Sequence, residues 1–181
     1  MKKLLHLRRC FKCLDYRPNK RSIVKEITLG IGDEWKIRPK ENMVVFVLDG
    51  KMTYLSGQLQ SSVFINGQMF FLPRKYHRLS FRAISETKLV IVRLFNKVIP
   101  HDYFASKDFP QTQVLEETTK TVPFQLEINS ALEKYLNMLF LFDKQELSYH
   151  HYKEDKVKEL LLILKTFYSK EDLYRFFFDF S

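Results

Sequence analysis

Few side chains in this sequence are of types that do chemistry, and their spacing limits what they can do. Cys10 and Cys13 form a C-x-x-C pair. Tetrahedral zinc needs four ligands, and the next candidate along the chain, His6, leaves that set one short. A redox pair normally opens a helix after a strand, where the helix end lowers the thiol pKa, but here the flanks are basic and irregular (Arg8, Arg9, Lys12, Arg17). Two ordinary reduced thiols are expected, and two cysteines three positions apart exclude a disulfide scaffold. The other histidines are His77, His101 and the adjacent His150 and His151. Neighbouring side chains diverge by about 100° around a helix, which disfavours chelation of one ion by His150 and His151 together. His77 with Glu41 offers two ligands where retention of Zn, Fe or Mn normally takes three. Asp143 and Glu146, with Lys144 beside them, read as a solvated loop or helix end and not as a general acid–base pair. The sequence contains no G-x-S-x-G elbow, no phosphate loop and no G-x-G-x-x-G. No catalytic residue, metal or cofactor is expected.

Ligand binding remains. A concave apolar interior is the usual place for a small molecule, and Trp35, Phe46, Tyr54, Met69, His77 and Phe81 are the candidates to line one. Each suits plain core packing equally well.

The elements that must carry these residues follow from turn punctuation. All five glycines (Gly30, Gly32, Gly50, Gly57, Gly67) precede residue 68, whereas neither Gly nor Pro occurs from Phe124 through Ser181. Turn residues among short β-branched and aromatic runs predict antiparallel strands. They are expected at Ile23–Leu29, Glu34–Arg38, Met43–Asp49, Lys51–Leu55, Ser62–Ile65, Met69–Leu72, Tyr76–Ala83 and Thr87–Leu94. Asp49-Gly50 and Asn66-Gly67 are hairpin signals, because these residue types accept positive φ. Leu79, Phe81 and Ala83 alternate with Arg78, Ser80 and Arg82, giving one dry and one wet face. Val44–Leu48 is apolar on both sides, as in a central strand. Short strands at this spacing make a sandwich or barrel.

Past Pro123 the grammar is helical. Ile128, Leu132, Tyr135, Leu136 and Leu139 lie along one stripe, and Val157, Leu160, Leu161, Leu164 and Tyr168 along another. Ser169, followed by Glu171 and Asp172, caps a third helix. Leu162 and Ile163 fall off the second stripe, so that helix carries a further apolar surface. A two-fold partner is expected to cover it, with Val157, Leu160, Leu161, Leu162, Leu164 and Tyr168 as the candidate homodimer interface.

Charge is unevenly spread. Residues 1–25 hold nine Lys/Arg against Asp15, while residues 26–126 hold 13 Lys/Arg against 10 Asp/Glu and residues 127–181 hold 8 against 10. The near-neutral body lacks the broad phosphate-binding face of a nucleic-acid domain. Met1-Lys2-Lys3-Leu4-Leu5 opens like a secretion signal, but His6, Arg8 and Arg9 interrupt it, and no hydrophobic stretch follows Arg8-Arg9. Val44–Leu48 and Leu160–Leu164 are far short of the ~20 residues that span a bilayer. A cytoplasmic protein with no membrane partner is expected.

The segments Gly32-Asp33, Glu41-Asn42-Met43-Val44-Val45-Phe46-Val47-Leu48-Asp49-Gly50, Asn66-Gly67-Gln68-Met69-Phe70-Phe71-Leu72-Pro73 and Thr87-Lys88-Leu89-Val90-Ile91-Val92-Arg93-Leu94 together resemble the cupin-type sensor half of AraC-family transcription regulators. The tail, Lys156–Leu160, Tyr168–Leu173 and Phe176-Phe177-Phe178, resembles the helical segment that joins sensor to DNA reader in AraC-like proteins of the Bacteroides type. The resemblance implies an α+β fold: a basic arm (1–22), an antiparallel cupin-like β-barrel of jelly-roll type (23–122) and a C-terminal helical dimerisation or linker segment of two to three helices (123–181). It implies a non-enzymatic sensor and dimerisation module with a small-molecule effector. DNA would be read only through a C-terminal pair of helix-turn-helix units of roughly 100 residues, beginning where this sequence stops. A truncated sequence is the expectation, since Phe176, Phe177, Phe178 and Phe180 have no evident cover. Enzymatic cupins carry two histidines and a glutamate on one strand pair and a third histidine later; Arg38–Met43 has no histidine, and only His77 stands at the second motif. A metal-dependent cupin enzyme and a stand-alone interaction protein forming mixed dimers are the alternatives.

Overall fold

A computed structural model describes residues 22–55, 62–74, 78–95, 122–144 and 152–178. Among these, nine strands precede three helices: β1 (Val24–Leu29), β2 (Glu34–Ile37), β3 (Asn42–Asp49), β4 (Lys51–Tyr54), β5 (Val63–Ile65), β6 (Gln68–Leu72), β7 (Leu79–Ala83), β8 (Thr87–Leu94), β9 (Gln125–Glu127), α1 (Ser130–Lys144), α2 (Tyr152–Phe167) and α3 (Lys170–Phe178). The strands form two antiparallel sheets, ordered β1-β8-β3-β6-β9 and β2-β7-β4-β5. The fold is α+β with a jelly-roll-like β portion, as the sequence led us to expect.

The two sheets share their strands. The β1–β8 register ends at Leu29↔Thr87 and resumes in the other sheet at Glu34↔Arg82 without a slip. Likewise Val47↔Gln68 of β3–β6 continues as Lys51↔Ile65 of β4–β5, one residue displaced. Each pair is therefore one long antiparallel ribbon bent at its middle, which is how strands turn a barrel corner. This corrects the expectation for Asp49-Gly50 and Asn66-Gly67. Neither closes a hairpin; both are bends at which a strand passes from one sheet to the other. Local sequence encodes the change of direction but not whether the flanking strands pair.

Gly30, Gly32, Gly50 and Gly67 all lie at these bends, and the bends are tied together. Gly67 N–H donates to Val47 O and Asn66 N–H to Gly50 O, each at 2.9 Å, and Ile84 N–H donates to Lys51 O at 2.7 Å. Thr87, the buried polar residue here, accepts from Lys51 N–H at 3.2 Å, and its hydroxyl lies 2.8 Å from Ser85 O.

Two apolar cores result. Between the sheets lie Leu29, Trp35, Met43, Val45, Val47, Met52, Tyr54, Phe64, Phe70, Leu72, Leu79, Phe81, Ala83, Leu89 and Ile91. The outer face of the five-stranded sheet (Val24, Val44, Phe46, Met69, Phe71, Val90, Val92) packs against the helices through Leu132, Tyr135, Leu139, Val157, Leu160, Leu161 and Leu164. β3 is central in its sheet and buried on both faces, which explains its unbroken apolar run. β7 shows the expected alternation, with Leu79, Phe81 and Ala83 inward.

The tail is not purely helical. β9 lies beyond Pro123 and pairs with β6, Met69 opposite Leu126. Asn129 Oδ1 caps α1 by accepting from Leu132 N–H at 3.0 Å, and Ser169 Oγ caps α3 by accepting from Asp172 N–H at 3.0 Å. Phe176 and Phe177 are buried against Phe71 of β6, with ring centroids 6.2 and 5.0 Å away. They have a cover after all, on a sheet face that the sequence alone does not reveal. Phe180 lies outside the described residues.

Candidate functional site: the mouth of the barrel

The residues expected to line an interior pocket divide into two groups. Trp35, Tyr54 and Phe81 come together between the sheets, with Trp35 and Tyr54 each 5.3 Å from Phe81 between ring centroids. Phe46 and Met69 do not join them. They face each other across β3 and β6 on the opposite surface, beneath the helices, because the interior rows of those strands are Met43-Val45-Val47 and Phe70-Leu72. In a strand apolar on both sides, composition cannot say which row is inside. His77 lies outside the described residues, as do Cys10, Cys13, His6, His101, His150 and His151.

The described interior is packed. Phe64 and Phe70 add rings 5.8 and 5.5 Å from Phe81 and 4.3 Å from each other. Open space lies instead where the interior rows reach the barrel's end. A recess of about 510 Å3 is lined by Ser22, Val24, Lys25, Arg38, Lys40, Glu41, Met43 and Arg93. Register explains how its cations arrive there. Leu29 and Ile27 on β1, and Leu89 and Ile91 on β8, point into the barrel; two residues further on, the same rows end in Lys25 and Arg93. Lys25 lies opposite Ile91, and Arg93 opposite Met43. Arg38 and Lys40 approach from the connection between β2 and β3. The interior thus turns from apolar to basic at its mouth.

Among the described residues, the recess sets four cations against one carboxylate, Glu41. Arg93 is half-buried and donates from Nη1 to Ser22 O at 3.0 Å, which ties β8 to the segment entering β1. Among the described residues, no ion pair involves Lys25, Arg38, Lys40 or Arg93. Glu34, on the outer face of the four-stranded sheet, accepts from Arg82 at 2.6 Å and pairs with Lys36 at 2.9 Å; the Arg82 hydrogen bond, then Lys36, pull its carboxyl down to about 2. The sequence reading missed this recess. The signal it held was a cation in phase with an apolar alternation at a strand end, in both β1 and β8.

The candidate dimer residues require a correction. Val157, Leu160, Leu161 and Leu164 are fully buried within the protomer, packed on the five-stranded sheet. The helical stripe fills the chain's own second core and is not free for a partner. Tyr168 is half-buried: its hydroxyl donates to Glu127 O and accepts from Asn129 Nδ2 at 3.3 Å, and burial pushes its pKa up to about 12. Of the six, only Leu162 is widely exposed, at 63%.

Among the described residues no group of three or more His, Cys, Asp or Glu could hold a metal. No described helix is long and apolar enough to cross a membrane.

The β-barrel with a helical tail packed on one of its sheets is a fold that solved structures share. It is similar to apo ToxT K231A from Vibrio cholerae: 17% identity, 90% of this chain and 60% of ToxT covered, TM-score 0.53. ToxT with an unsaturated fatty acid bound aligns over 90% of this chain and 59% of its own, with 15% identity and TM-score 0.50. The cupin domain of Drosophila melanogaster CENP-C aligns over 44% of this chain and 65% of its own, at 17% identity and TM-score 0.35. The chain spans about 60% of the length of ToxT. No family model and no curated protein matches the sequence.

Proposed function

We propose that this chain is the non-enzymatic sensor and dimerisation module of an AraC-type DNA-binding transcription regulator, with a small-molecule effector seated at the barrel mouth. The observation that carries the reading is the likeness to ToxT across 90% of the chain, which takes in barrel and helical tail together. The mouth is the seat because the aromatic interior behind it is filled. The ToxT structure with an unsaturated fatty acid bound supports small-molecule sensing in this fold. The module works in the cytoplasm as a homodimer without cofactor, through the tail surface that the protomer leaves in solvent, Leu162 and Phe167 on α2. DNA is contacted by helix-turn-helix units outside these residues. An effector changes regulation only by binding one dimer geometry better than another, because equal affinity shifts nothing.

Two measurements test this. Sedimentation equilibrium is expected to show a dimer, and a monomer at all concentrations would refute the dimerisation role. Deleting the gene is expected to change a defined set of transcripts; an unchanged transcriptome under every growth condition tried would refute the regulatory role.

A further inference from the structure

We infer that the mouth of the barrel binds a small organic anion carrying two or more negative charges, an organic phosphate or a polycarboxylate, and is not built for a long acyl chain. The inference rests on the seat proposed above and names its ligand class. Among the described residues, four cations against one carboxylate leave a surplus of positive charge that a single carboxylate would not balance. Arg38 and Arg93 offer planar donor forks that match phosphate and carboxylate oxygens in pairs, while Lys25 and Lys40 act as mobile point charges. Their positions differ usefully. Lys25 on β1 and Arg93 on β8 are fixed by strand register, and Arg38 and Lys40 belong to the β2–β3 connection. An anion held between them is gripped from three elements, β1, β8 and the β2–β3 connection.

An acyl chain fits poorly for two reasons. Among the described residues Val24 and Met43 are the only apolar side chains in the lining, and the space beneath Met43 is occupied by the packed interior core. The volume, about 510 Å3, falls within the range of small-molecule sites and exceeds what a bare inorganic ion needs. The recess therefore has room for a polar organic body as well as the charges.

Isothermal titration calorimetry of the whole chain with pyrophosphate, citrate, acetate and oleate tests this. Pyrophosphate or citrate is expected to bind, with affinity falling as salt is raised; the first without the second assigns an organic phosphate, and the reverse a polycarboxylate. Arg38→Glu with Lys40→Glu is expected to weaken that binding by about tenfold or more, since charge-assisted bonds become repulsions. These positions lie outside the strands and keep the test usable where Arg93→Ala, which releases Ser22 O, fails to fold. Arg82→Gln, on the outer face of the other sheet, is expected to leave affinity unchanged. If oleate binds in an Arg38/Lys40-dependent way and neither polyanion does, the ligand class is wrong and the seat stands. If nothing binds, or binding ignores the Arg38/Lys40 change, the seat falls as well.

Discussion

The barrel corner places its strictest demand on Gly50. Its φ is +82°, a region that costs an L-residue about 1–2 kcal/mol. A Cβ there would also collide with the Glu86 carbonyl oxygen and stand 2.7 Å from Thr87 Cα and Oγ1. Relief requires the bend at Ser85–Thr87 to move away from Lys51. That motion gives up the hydrogen bonds by which Thr87 Oγ1 holds Lys51 N–H and O, each contributing about 1 kcal/mol. Gly50→Ala is therefore expected to destabilise the fold by about 3 kcal/mol once the stiffer unfolded chain offsets part of the φ penalty. Gly67 is the control, because its φ is +80° but nothing lies within 4 Å of an added Cβ. Gly67→Ala should cost only the conformational penalty, about 1 kcal/mol after the stiffer unfolded chain offsets part of it. Urea unfolding followed by circular dichroism measures both. Equal losses for the two variants would refute the argument that contact across the corner, and not φ alone, fixes Gly50.

Three further outcomes are expected. Phe81→Ala removes the ring around which Trp35, Tyr54, Phe64 and Phe70 pack, and should lower unfolding free energy by about 3–5 kcal/mol in the same assay. Leu161→Glu should unfold the protomer, whereas Leu162→Glu should leave stability within about 0.5 kcal/mol and reduce the mass seen by light scattering. Unfolding by Leu162→Glu, or tolerance of Leu161→Glu, would contradict the assignment of faces. The Glu34 carboxyl, lowered from 4.5 to about 2, adds stability that is present above pH 4.5 and lost as pH falls towards 2. Glu34→Gln should flatten that part of the pH–stability curve, and added salt should shrink the difference, since the group is exposed.

Seven of the eight expected strands could be placed from the sequence within a residue because glycines and alternation mark them, while the expected Tyr76–Ala83 is observed as Leu79–Ala83. The expected Glu34–Arg38 is observed as Glu34–Ile37, and Thr87–Leu94 is unchanged. Connectivity was not legible. Asp49-Gly50 has the composition of a hairpin, but whether β3 pairs with β4 is decided by β6 and β8 occupying both of its edges. β9, at three residues, is too short to show a period and exists because β6 has an edge to offer. Of the residues expected to line an interior pocket, the inward placing of Phe81, and with it Trp35 and Tyr54, was legible because Phe81 lies on a strand with one wet face, although they pack as core and do not line the recess. Phe46 and Met69 were not, since the helices make both faces of their sheet dry. The same cause undid the dimer reading: an apolar helical stripe shows that something covers it, not which molecule does. Lys25 and Arg93 look like ordinary surface cations until register aligns them with the interior rows.

β6 is read on both sides. Phe70 stacks into the barrel toward Phe81, and the next residue, Phe71, meets Phe176 and Phe177 of α3 on the far side of the sheet. The strand's outer edge is also hydrogen-bonded to β9, two residues before Asn129 caps α1. Any rearrangement that tilts the ring of Phe70 displaces its neighbour across a single peptide unit, and with it the floor on which the tail rests. A few tenths of an ångström inside the container would thus reach the outside as a lever stroke, with no loop in between to absorb it.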